Sequence, residues 1–169
     1  GIDYAFGEGL TTAEMKANGV QFVCRYLSGG LPKDINKTEL DNLLGAGIAV
    51  VLNWETTGQM PSEAQGVADA KAAQAEAAGL GLGGAVIYFS ADFDPTGQTA
   101  AINAHMSGVA SVIGRKRTGL YGGYGAIQAY FDAGIGAYGC QTYAWSSGEW
   151  DLRASSSGGT TITRWARRP

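Results

Sequence analysis

Short apolar runs recur along the chain at intervals that set its architecture. They are GIDYAF (1–6), VQFVCRYLS (20–28), IAVVLNWE (48–55), GAVIYFSADFD (84–94), RTGLYGGY (117–124), AYGCQTYAWS (137–146) and TTITRW (160–165). Each is rich in β-branched or aromatic residues, and glycine shortly precedes several, which predicts strands. Helix signals fill the gaps. Thr11 and Glu14 have capping-box spacing ahead of Met15, with Gly19 as a stop. Residues 38–44 carry Leu40, Leu43 and Leu44 on a helical repeat. Ser62 and Gln65 open an alanine-rich helix that ends at Gly79; residues 99–113 and 125–133 complete the set. The Ser/Gly-rich stretch 147–159 reads as a loop.

Strands that alternate with helices imply βαβ units and a parallel sheet. Runs such as IAVVL and AVIYF are apolar at consecutive positions, as strands covered on both faces must be. The expected fold class is α/β, with about seven or eight strands and five or six helices arranged as an irregular TIM-like (β/α) barrel; a doubly wound sheet is the other arrangement this rhythm allows. No linker divides the chain, so residues 1–169 are expected to form one domain.

Composition narrows the partners. Hydrophobic residues make up 45% and charged residues 16%, enough apolar material for a packed core. The net charge of −3 and a pI near 5.1 argue against a nucleic-acid surface, which needs clustered positive charge. No apolar run is long enough to span a membrane. Two cysteines, Cys24 and Cys140, and one histidine, His105, are too few for an ordinary zinc site. Each cysteine lies in an apolar run and is expected as a buried free thiol, a pairing of the two being the other arrangement the sequence allows, while His105 is expected on a helix surface. The chain starts at Gly1, directly on an apolar segment and with no signal peptide in it, which leaves the compartment open.

The polar residues that stand out are acids. Asp3 follows Gly1-Ile2, Glu55 closes IAVVLNWE, and Asp92 and Asp94 close GAVIYFSADFD. The C-terminal end of a parallel sheet is where α/β folds bind ligands, and a charge there costs free energy unless it is paired or solvated. Any one of these acids could be a helix cap or an ion-pair partner; three runs that end alike point to a shared acidic site. Asp92 and Asp94, two apart on an extended strand, would share a face about 7 Å apart, and mutual repulsion would raise one pKa. Glycoside hydrolysis uses that division of labour. For Asp94 there is a structural alternative, a turn cap ahead of Pro95. Aromatic residues are interleaved with the acids. Trp54, Tyr121, Tyr124 and Trp145 offer flat faces suited to the apolar faces of sugar rings, although about half of the aromatics are expected in the core.

Competing motifs are weaker. IYFSADFDPT matches a strand-DxDxT phosphotransferase pattern, but the acids after Asp94 are isolated and Lys116 is the one lysine that follows it. YGGYG fits neither a dinucleotide fingerprint nor a P-loop. The serines lack a histidine partner for a triad.

Taken in order, GIDYAF, TTAEMKANG, QFVCRYLSG, VLNWE, IYFSADFD, GLYGGYGAI and CQTYAWS resemble the glycoside-hydrolase-like domain of unknown function 1906 (DUF1906), a family related to the family-25 lysozyme-type muramidases. The resemblance spans nearly the whole chain. It implies a (β/α) barrel acting on bacterial cell-wall glycan, with Asp3 at the place of the first-strand acid and Asp92 and Asp94 at the place of a D-x-E motif. Here the second position of that motif is aspartate, one methylene shorter, so Glu55 becomes an alternative acid. TTITRWARRP also ends without the acid that follows the last strand in the muramidases. On the hypothesis of a cell-wall glycoside hydrolase, Tyr121, Gln141 and Trp145 hold sugar, peptidoglycan or another polysaccharide is the partner, no cofactor or metal is expected, and the protein is expected to be a monomeric, lysin-like one that is secreted or phage-encoded. A catalytically silent carbohydrate-binding module on the same barrel is the alternative.

Overall fold

The computed structural model describes residues 1–5 and 10–156. Six parallel strands form one sheet in chain order: β1 (Ile2–Asp3), β2 (Phe22–Leu27), β3 (Ala49–Trp54), β4 (Ile87–Ser90), β5 (Thr118–Gly122) and β6 (Tyr138–Gln141). The helices between and after them are α1 (Thr12–Ala17), α2 (Lys37–Gly45), α3 (Glu63–Gly79), α4 (Thr99–Ile113), α5 (Tyr124–Asp132) and α6 (Leu152–Ser156). The capping box at Thr11 and Glu14 forms as its spacing requires, and Asn36 and Ser62 cap α2 and α3 through their side chains.

The architecture is a curled parallel half-barrel backed by helices, and it corrects the expected closed barrel of seven or eight strands. Among the described residues β6 and β1 do not pair, and the seventh expected strand, 160–165, lies outside them. One further expectation fails locally: the stretch 147–159, expected as loop throughout, contains α6.

Side-chain alternation divides the sheet into two faces. Odd-numbered positions of β2 and even-numbered positions of β3, among them Val23, Leu27 and Leu52, pack outward with the helices in the main core, as do Ile87 and Phe89 of β4 and Leu120 of β5. The opposite face gathers Phe22, Val51, Tyr88, Tyr121, Tyr138 and Cys140 into a second, smaller cluster. Phe22 on β2 and Cys140 on β6 lie four strands apart, about 19 Å in a flat sheet. Their meeting in one cluster is what the curl achieves.

Both thiols are free and buried, and burial pushes each pKa well up; Asp3 adds to the rise for both. They are therefore protonated and inert at neutral pH.

His105 is not on a helix surface. It is 1% exposed, because α3 crosses α4 at Gly66, where backbone approaches backbone closely enough to cover it. Its Nε2 lies 3.4 Å from Asp69 Oδ2. Desolvation outweighs the attraction of that carboxylate and lowers its pKa below the ordinary 6.5. The unfolded chain then takes up a proton near pH 6.5 that the folded chain resists. The stabilisation is complete above pH 6.5 and is lost as the pH falls below it. A series of thermal melts from pH 8 to 5 is expected to show this loss in the parent and a shallower slope in His105→Asn.

Candidate functional site

Two acids of the sequence reading are joined at the C-terminal ends of the first three strands. The Tyr26 hydroxyl on β2 donates to Asp3 Oδ2 on β1 at 3.3 Å. Lys33, from the loop after β2, places Nζ 4.7 Å from the centre of the Tyr26 ring and 2.8 Å from Glu55 Oε1 at the end of β3. The lysine and glutamate side chains are each 16% exposed. Asp3, Tyr26, Lys33 and Glu55 thus form a continuous chain of contacts across three strands.

The loop that presents Lys33 is built from beneath. Arg25 alternates to the outer face, is 2% exposed, and grips both carboxylate oxygens of Glu39 on α2 at 2.6 and 3.0 Å. Its Nη1 donates to the carbonyls of Tyr4 and Lys33. Asp34 accepts from the Ser28 hydroxyl and from the Gly30 N–H, and Ile35 N–H returns to the Tyr26 carbonyl. Gly29 and Gly30 supply the positive φ angles (78° and 98°) that this return needs. Glu76 on α3 accepts from Gly29 N–H; burial raises its pKa despite that bond, and the facing Asp34 carboxylate adds to the rise.

Asp92 lies just past the end of β4, one strand from Glu55, half-buried, with its N–H on the Gly58 carbonyl. Asp94 does not join it. β4 stops at Ser90, so the two-residue alternation does not run on to position 94. Asp94 is exposed and accepts the Thr96 N–H as a turn cap, which holds its carboxyl below the usual range.

The aromatic residues also divide. Tyr121 is on the concave face, in register with Ser90 and Cys140. Tyr124 opens α5, and its hydroxyl accepts from Gln128. Trp145 is 39% exposed on the loop after β6, at φ 55°, with its backbone against Gly123. Trp54 points the other way, 5% exposed in the main core. Gln141 is 3% exposed and committed to that same loop: its amide donates to Ser146 Oγ and the Glu149 carbonyl, and its oxygen accepts the Asp151 N–H. It anchors the loop that carries Trp145. Lys33 and Tyr26 are the two residues of this cluster that had not been singled out as site residues.

A parallel half-barrel with carboxylates at its strand ends is the framework of a glycoside-hydrolase-like domain. The chain belongs to the Rv2525c-like, glycoside hydrolase-like domain family, whose profile matches residues 13–168. Among solved structures it is similar to the Mycobacterium tuberculosis Tat-secreted protein Rv2525c, in complexes with HEPES and with L-tartrate. In both cases the identity is 28%, the TM-score 0.81, and the match covers 90% of this chain and 82% of that one. An uncharacterised B. stearothermophilus protein shares the fold at 16% identity and TM-score 0.54, over 88% of this chain and 70% of its own. No curated protein matches the chain.

Proposed function

We propose that this domain hydrolyses a cell-wall glycan, peptidoglycan or a related polysaccharide, outside the cytoplasm. The observation that carries the reading is the chain of contacts from Asp3 through Tyr26 and Lys33 to Glu55, with Asp92 just past the end of the neighbouring strand β4. Family membership supports the reaction class, and the Tat-secreted relative supports an extracytoplasmic site of action. Glu55, held by Lys33 at 2.8 Å, is suited to stabilise the positive charge that develops on the sugar or to accept a proton from water. Asp92 is then the proton donor to the glycosidic oxygen as the C–O bond breaks. Asp3, oriented by Tyr26, sets the local charge. Tyr121, Tyr124 and Trp145 offer the aromatic faces for sugar.

Digestion of purified peptidoglycan with mass analysis of the released fragments tests this. Asp92→Asn and Glu55→Gln are each expected to lose about 100-fold or more in rate, the usual contribution of a positioned acid or base. Two variants as active as the parent would refute the assignment.

A second reading, a carbohydrate-binding domain without catalysis, draws on Asp94. The position where the muramidases carry the glutamate of D-x-E is here an exposed turn cap. On that reading the parent sediments with insoluble peptidoglycan but releases nothing, and Tyr121→Ala weakens the sedimentation.

A further inference from the structure

We infer that the loop after β6 carries a second sugar subsite, in which Tyr143 and Trp150 extend the aromatic surface begun by Tyr124 and Trp145 and hold a further ring of the same glycan chain. This subsite rests on the glycan reading and deepens it, since it names where the polymer runs beyond the acids.

The loop is built as a rigid support. Among the described residues, Trp145 and Ser147 are the two non-glycine residues with positive φ, at 55° and 49°. A left-handed backbone is costly for a large side chain and persists only where the surroundings enforce it. Here they do. Ser146 is buried; its hydroxyl donates to the Thr142 carbonyl and accepts from the Gln141 amide and the Tyr124 N–H. At the far end Asp151 accepts from Arg153, which also donates to Asp132 at the end of α5. Gly123 leaves room for the turn: a methyl there would lie 3.0 Å from the Trp145 carbonyl oxygen.

This framework presents large rings to water. Tyr143 is 59% exposed, and its ring lies 6.4 Å from the half-buried Trp150 ring at a tilt of 48°. Three aromatic residues on one short braced loop mark an interaction site rather than scattered surface. The bond from Tyr124 N–H to Ser146 joins the loop to the start of α5, so the new rings continue from those already assigned to sugar. Asp3 is near enough to Cys140 to raise the thiol pKa, which places the end of β6 beside the acid of β1.

Composition selects the occupant. Residues 142–152 contain no lysine or arginine and carry two acids, Glu149 and Asp151. A phosphate-bearing partner, nucleic acid or anionic membrane, needs cations that this loop lacks. Thr142 and Ser147 place hydroxyls among the rings. A sugar ring matches both, with an apolar C–H face for the aromatics and hydroxyls for the polar rim.

Sedimentation of the full chain with insoluble peptidoglycan tests the subsite. Tyr143→Ala and Trp150→Ala are each expected to bind about tenfold more weakly than the parent, the ratio that loss of one aromatic contact carries. Tyr143→Phe keeps the ring and is expected to bind like the parent. Tyr143→Ala is also expected to melt with the parent, because the ring is exposed, so it decides the matter even if Trp150→Ala does not fold. Binding that depends on Tyr143 in a parent that releases no fragments supports the subsite and removes hydrolysis. Alanine variants that bind as tightly as an active parent overturn the subsite and leave hydrolysis standing. A parent that does not sediment, or equal losses in Tyr143→Phe and Tyr143→Ala, overturns it too. So does a dimer in solution, or retention on anionic phospholipid vesicles, that Tyr143→Ala abolishes, since the loop then serves a second copy or a membrane.

Discussion

Gly66→Ala is expected to destabilise the fold by about 3 kcal/mol or more, lowering the melting temperature by about 6–12 °C, or to prevent folding. A methyl group at position 66 would sit 1.9 Å from the carbonyl oxygen of His105 on α4. The reciprocal contact is nearly as tight: a methyl at Gly108 would sit 2.2 Å from the carbonyl oxygen of Glu63 on α3. Both obstacles are backbone, so no rotamer change relieves them, and the two helices would have to separate. That separation would also open the cover over His105, Ala70 and Ala73, all buried between these helices and the sheet. Gly45→Ala is the control, since it lies in the last turn of α2 with open space where a methyl would go. It is expected to be neutral or slightly stabilising, because alanine loses less conformational freedom on folding. Circular-dichroism melts of the parent and the two variants decide the matter; equal melting temperatures for Gly66→Ala and Gly45→Ala would mean that the helices are not in close contact.

The strand-and-helix rhythm was legible because parallel strands covered on both faces must be continuously apolar and must be followed by a crossover helix. The five helices of the body fall within a residue or two of where caps and glycines predicted them. Curvature was not legible. It arises from which residues fill the concave face, and Tyr88, Tyr121, Tyr138 and Cys140 look no different in sequence from the outward-facing Phe89 and Leu120.

The site was legible only in part, and strand parity explains much of the remainder. Trp54 and Glu55 are adjacent, so they point to opposite faces; if Glu55 faces the concave side, Trp54 must face the core. Reading the aromatic residue as a neighbour of the acid ignored that alternation. Asp94 shows the converse, since parity was carried past the end of a strand that stops at Ser90. Lys33 gave no signal of its own. It follows Pro32 in a loop, where a lysine ordinarily points into water, and its meaning depends on a chain reversal at Gly29 and Gly30 that brings residues 33–35 back beside Tyr26.

The same reversal makes Arg25 the residue on which the site's construction depends. Arg25→Met should cost about 3 kcal/mol, near the lower end for breaking a buried pair because Glu39, at 23% side-chain exposure, can regain some water. In melting temperature that is about 6–12 °C for a chain of this length. Three acceptors lose their donor at once: the Glu39 carboxylate, the Tyr4 carbonyl and the Lys33 carbonyl. Tyr4 also loses the guanidinium 4.4 Å from its ring centre, while its hydroxyl still donates to Glu39 at 2.8 Å. Combining Arg25→Met with Glu39→Met removes the stranded charge and should recover part of the stability, since a buried pair replaced by apolar residues of similar size is often close to neutral. It should not recover the support of the Lys33 carbonyl, because no methionine donates a hydrogen bond. The double variant therefore separates two roles of one arginine. Melting temperature should rise from single to double variant without regaining the parent value. A double variant as stable as the parent would mean that the Tyr4 and Lys33 carbonyls lose nothing with the guanidinium.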